Sequence, residues 1–179
     1  PAPSEMCIRD SNEVLQKLLP VEEPFAEIWQ AYQQCVANMA TLFVEPAQSP
    51  YDMTRLKWYL RRFENVLFEQ LGYGFDFAKD ALGDLIVPSQ RYQYQLQQGF
   101  TPVLPLDKPD MSITGEQLLI WYQCLQDEAS FNQMMQQDFD LAKQLVNSIS
   151  AMHRHLMDNL LNYQTLQSRE LWQQLTQYQ

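Results

Sequence analysis

The run TRLKWYLRRFENVLFEQLGYG, residues 54–74, constrains this chain more than any other stretch. Leu56, Leu60, Phe63, Leu67 and Leu71 recur at intervals of 4, 3, 4 and 4, which draws one apolar stripe along a helix. Gly72 follows the last stripe residue, where a helix most easily turns left-handed and stops. Asp52 or Thr54 is the predicted N-cap. Arg55, Lys57, Arg61 and Arg62 put four of the chain's 12 basic residues into this helix, in a chain of formal charge −10. An acidic chain that gathers its cations on one helix needs a local reason for doing so.

The 179 residues suffice for one domain with a real core. A hydrophobic content of 46% excludes a disordered chain, and scarce glycine with abundant Gln, Leu and Ala favours helices. No run approaches the roughly 18 apolar residues of a membrane span, and no basic start with an apolar core marks a secretory signal. Cys7, Cys35 and Cys124 are odd in number and widely spaced, so a disulfide framework is not expected and a reducing cytoplasm is. The net negative charge opposes strong nucleic-acid binding, which draws its affinity from phosphate neutralisation by Lys and Arg.

Residues 1–11, PAPSEMCIRDS, show neither periodicity nor capping logic. Met6 to Ser11 is also the translation of a transposon end used in sequencing libraries. The expectation is that this segment is non-native adapter, with further native chain upstream of Asn12. Residues 12–19 read as a helix remnant with Val14, Leu15, Leu18 and Leu19 apolar; Pro20 and Pro24 bracket an acidic break. A helix is predicted over 24–44, burying Phe25, Ile28, Trp29, Tyr32, Val36, Met39 and Phe43. After a loop over 45–50 comes the central helix. A short helix is predicted over 77–82. The alternation of Tyr92, Tyr94 and Leu96 with glutamines predicts a β-hairpin over about 90–104, turning near Gln98-Gly99. Ser112 or Thr114 caps a helix over 115–125. The longest helix is predicted over 131–161, and a last short one over 168–176. The fold class is mainly α: about six helices with a small β-hairpin insertion.

Catalytic constellations are weak. His153 and His155 are two apart on a helix and point about 200° apart, so they cannot share a metal. Ser148 and Ser150 lack a G-x-S-x-G setting, and no glycine-rich phosphate loop exists. The acidic pairs Glu22-Glu23, Asp127-Glu128 and Asp138/Asp140 read as solvated ends and helix N-terminal charge rather than acid–base pairs. Glu64 reads as a rim residue paired with Arg61 or Lys57. On a helical wheel, Lys57 and Arg61 share one shoulder of the stripe with Phe68, and Arg55 and Arg62 the other with Trp58. Cations beside an aromatic suit a ligand with carboxylates and an apolar end. A solvated flank with Glu64 and Glu69 as helix partners is the competing reading.

LRRFE at 60–64, with Leu67 and then LGYG at 71–74, resembles the helical domain of the bacterial recombination mediators of the RecO family. NEVLQKLLPVEEPF at 12–25, RYQYQLQQGF at 91–100, ITGEQLLIW at 113–121 and QSRELWQQL at 167–175 resemble further family segments in the same order. The resemblance covers the chain from Asn12 onward. It implies a non-enzymatic domain without cofactors that follows an N-terminal OB-fold, the part that binds and anneals single-stranded DNA. With RecR, the family helps load RecA onto DNA coated by SSB, and recognises the acidic, Phe-ending SSB tail on the helical domain. By resemblance Arg61 is the carboxylate clamp and Lys57 a second cation; Arg62 and Arg55 are weaker candidates. The chain departs from many family members in having no cysteine between Val36 and Gln123, with Asp80 in the region of their four zinc cysteines. It therefore resembles the zinc-free branch, whose hairpin is held by packing of Tyr92, Tyr94 and Phe100. The rival readings are a helical scaffold with a soluble basic flank, and direct contact of the helical domain with single-stranded DNA.

Overall fold

A computed structural model describes residues 3–19, 25–42, 49–104 and 112–162. These residues form α1 (Pro3–Leu18), α2 (Ala26–Leu42), α3 (Pro50–Gln70), β1 (Arg91–Gln95), β2 (Gly99–Pro102), β3 (Ile113–Thr114), α4 (Gly115–Gln126), α5 (Glu128–Gln137) and α6 (Phe139–Leu160). The helix predicted over 168–176, the breaks at 20–24 and 45–48, and Phe43 at the end of the helix predicted over 24–44 lie outside the described residues.

The central helix α3 is capped by Ser49, one turn earlier than expected. The Ser49 hydroxyl accepts the Asp52 N–H at 3.2 Å while the Asp52 carboxylate accepts the Ser49 N–H at 3.0 Å. This reciprocal box satisfies two orphan amides at once, and Pro50 takes the first helical position. Thr54 lies inside the helix, its hydroxyl bonded to the Pro50 carbonyl. The hydrogen bonds from Ser49 hold the Asp52 carboxyl below its ordinary pKa. At the other end Gly72 adopts φ 82°, and the Tyr73 N–H reaches back to the Phe68 carbonyl at 2.8 Å. That is the left-handed stop expected of a glycine there.

Two faces of α3 feed two cores. Trp58 enters one with Tyr92, Phe100, Trp121, Phe131 and Ile149. Leu56, Leu60, Phe63, Leu67 and Phe68 enter the other with Ile28, Met39 and Leu156. Trp58 and Phe68, placed on the helix shoulders by the wheel, are thus both interior, because neighbouring helices cover more of α3 than one stripe. α2 and α6 both pack along α3. On α2 the buried residues are Ile28, Cys35 and Met39. Trp29, expected inside, is 57% exposed and stacks on Tyr32, since the contact with α3 is centred on the Ile28–Cys35–Met39 line. α1 runs through the junction at Asn12 and begins at Pro3; Val14 is buried and Ile8 packs against the same core.

The hairpin is present, with Gln95 opposite Gly99 and φ of 67° at Gln97 and 95° at Gly99. A third strand completes it: β3 pairs with Arg91 and Tyr92, so the order is β2-β1-β3. Two residues carry no alternation of their own, which hid β3 from the sequence. Tyr92 and Phe100 are buried, and the Tyr92 hydroxyl accepts the Val87 N–H. Thr114 caps α4 in a second reciprocal box with Gln117. A Cβ on Gly115 would lie 2.0 Å from the Val87 carbonyl oxygen, so only glycine allows α4 to start against this loop.

Two helix expectations are corrected. Residues 77–82 form bends and a turn, with Lys79 bridged to Leu85. The Asp76 carboxylate accepts the N–H groups of Ala78 and Lys79, and Asp80 those of Leu82 and Asp84. Short acidic side chains here compete with the helical ladder for the same amides. The long helix over 131–161 is broken at Asp138, whose backbone leaves the helical region at φ −146° and ψ 82° and whose carboxylate accepts the Leu141 N–H at 3.0 Å. Asp127 caps α5 similarly. The acidic pairs at these positions are therefore helix-capping charges, as read.

Candidate partner-binding groove

α1, α3 and α6 enclose a groove of about 470 Å³. Its apolar floor includes Leu56, Leu60 and Leu67 of α3 and Met157 of α6. Three cations line it, Lys57 and Arg61 of α3 and Arg154 of α6, against the carboxylates of Asp10 and Glu64. The surplus of positive charge over an apolar floor is set inside a chain that is acidic overall.

Each cation is held differently. Lys57 Nζ donates to Asn147 Oδ1 at 2.8 Å, tying α3 to α6 at the rim. Arg61 Nη2 sits 2.7 Å from Glu64 Oε1, and its Nε is buried with no partner among the described residues. Arg154 is exposed and makes no ion pair among the described residues. A partly buried pair such as Arg61–Glu64 is better fixed in orientation than a rim lysine, and less screened by salt.

Glu64 reaches further inward. Its Oε2 lies 2.9 Å from Nδ1 of His153, which is completely buried. The imidazole stacks on Phe75 at 5.2 Å between centroids and meets Phe68 edge-on at 5.1 Å. Burial lowers the His153 pKa, against the opposing pull of the Glu64 carboxylate. A pKa below the ordinary value favours the uncharged ring at neutral pH; the tautomer that lets Glu64 accept carries its proton on Nδ1, and Nε2 is buried without a partner among the described residues.

The four cations singled out from the sequence separate in space. Lys57 and Arg61 line the groove. Arg62 lies outside it, paired with Glu128 and placed 5.6 Å from the Trp58 ring centroid. Arg55 also lies outside the lining, near enough to Asp52 to help lower its pKa. Phe68 belongs to the core. The sequence reading missed Arg154 and Asn147. Asn147, Ser150, Arg154 and Met157 follow one another at helical spacing along α6 and all line the groove. That stripe was visible, but which helix it would face was not. His155, the other candidate ligand, is exposed, while His153 is interior. Among the described residues no group of three or more His, Cys, Asp and Glu could hold a metal ion, and no helix is long and apolar enough to cross a membrane.

No family model matches the chain. Individual relatives do. Over 161 residues the chain is 30% identical to DNA repair protein RecO of Pseudoalteromonas translucida, covering 90% of the chain and 58% of that protein. It is 31% identical over 165 residues to DNA repair protein RecO of Actinobacillus pleuropneumoniae serotype 7, covering 92% and 58%. DNA repair protein RecO of Halorhodospira halophila is 36% identical over a shorter stretch of 87 residues. The chain thus spans less than two thirds of the curated relatives it matches along most of its own length, 58% in both of the first two cases. Over about nine tenths of its length the chain is thus similar, at about 30% identity, to a part of the RecO proteins.

Proposed function

We propose that this chain is the helical part of a non-enzymatic DNA-repair mediator and that its groove binds the acidic, Phe-ending C-terminal tail of SSB. The observation that carries the reading is the pairing of Lys57, Arg61 and Arg154 with a leucine-lined floor in one groove. A tail of this kind carries carboxylates for the guanidinium groups and an aromatic end for the floor. The net charge of −10 argues for a peptide over a phosphodiester backbone as the anion held here. RecR and single-stranded DNA are partners of the whole mediator, DNA chiefly through an OB-fold outside this domain.

The test is fluorescence anisotropy with a labelled acidic peptide ending in Pro-Phe with a free carboxylate. The peptide binds, and Arg154→Glu weakens it more than about tenfold without lowering thermal stability, as a charge reversal beside a carboxylate requires. Arg62→Glu, outside the groove, changes affinity little. Absence of binding, or equal effects of the two reversals, defeats the reading. Tighter binding of an oligothymidylate with a steep salt slope favours direct DNA contact instead.

A further inference from the structure

The groove ends in a relay that binding alone does not require. Arg61, Glu64 and His153 form a line from the groove wall to the junction of the two cores, with one Glu64 oxygen on Arg61 and the other facing His153. Glu64 and His153 are 89 residues apart in the chain and belong to α3 and α6. A buried imidazole with one nitrogen unpartnered among the described residues is costly to keep, and a leucine would fill the same space without that cost. Losing this tether removes one of the contacts that fix the Glu64 carboxylate and favours its covering the Arg61 guanidinium with both oxygens.

We infer that His153 is a positioning residue for the groove: it tethers the Glu64 carboxylate so that Arg61 keeps one orientation and part of its guanidinium stays available to an incoming carboxylate. The inference rests on the tail-binding reading above. It assigns His153 no contact with the ligand, because the ring is fully buried among Phe68, Phe75 and Trp121.

The experiment uses the whole chain and the same labelled peptide. His153→Leu removes the donor and weakens binding about tenfold, the scale of a lost hydrogen bond to a charged group. His153→Asn places an amide nitrogen near the position of Nδ1 and restores most of that loss, although it packs worse than leucine. In a Glu64→Gln background, His153→Leu has no further effect on affinity, since the charge being tethered is gone. If His153→Leu does not fold, His153→Gln replaces it. Its amide sits near the Nε2 position, so it must weaken binding where asparagine does not. Peptide affinity indifferent to His153 while still lost in Arg154→Glu overturns the positioning role and leaves tail binding standing. Wild-type chain that does not bind the peptide overturns both. Asparagine as damaging as leucine marks His153 as a packing residue only and overturns the inference.

Discussion

Trp58 and Leu60 leave the same helix two residues apart and enter cores of different character. Trp58 stacks on Phe131 with centroids 4.1 Å apart and meets Trp121 edge-on at 4.9 Å. That core closes around the small sheet and is sealed where Gly115 touches Val87. Leu60 enters an aliphatic core that continues into the cation-lined groove. The aromatic core uses interlocking rings to fix α4, α5 and the sheet on α3. The aliphatic core, between α1, α2, α3 and α6, leaves its edge open. Rigidity and access are thus divided between the two sides of one helix, and His153 sits where they meet, against Phe75, which packs on both.

The sharpest way to break this contrast is on the aromatic side. Trp121→Ala should cost about 3–5 kcal/mol, read as a lowered urea midpoint, because Trp121 is fully buried among rings that cannot collapse into the space. A cost below about 1 kcal/mol would mean that this core is no more closely packed than the groove side.

The next test addresses the junction. Burial keeps folded His153 neutral below its ordinary pKa of 6.5, whereas the unfolded chain takes up that proton. Its contribution to stability is therefore fully present above the unfolded pKa and falls as pH drops below it, with at most the slope of one proton. Urea midpoints measured from about pH 7 down to pH 5 should decline, and the decline should flatten in His153→Asn. An unchanged slope in that variant would remove His153 from the pH dependence.

The smallest effect lies at the end of α3, away from both cores. Ser49→Ala removes the hydroxyl of the capping box and should cost about 1 kcal/mol. It should also weaken the acid-range loss of stability, since Asp52 would no longer be held below its ordinary pKa by Ser49 and would gain less from folding in the ionised form. Measurement at neutral pH and near the Asp52 titration range separates the two effects. Equal stability to wild type at neutral pH would show the box to be incidental.

Local signals carried much of this architecture. The stripe from Leu56 to Leu71, the stop at Gly72, the Thr114 cap and the turn at Gly99 are written in residues within one or two turns of each other. So is the pairing of Glu64 with Arg61, one helical turn apart. Where two local signals competed, the reading failed. Apolar periodicity ran through Asp138, but that carboxylate satisfies an amide better as a cap than as a helix interior residue. Asp76 and Asp80 likewise turned an expected helix into loops. For α3, the earlier serine won over Asp52 because the two residues cap each other.

Residue spacing is enough to give a mainly helical chain centred on one amphipathic helix, with Lys57 and Arg61 on one shoulder and Arg55 and Arg62 on the other. Those facts depend only on the rise and turn of a helix, which repeat within a few residues. Packing brings Arg154 to the first pair, draws Arg62 off to Glu128, adds β3 to the sheet and sets His153 against Glu64. Each of these is a contact between segments far apart in the chain. Their meeting is set by how whole faces pack, and no local spacing encodes which face of α6 will lie on α3.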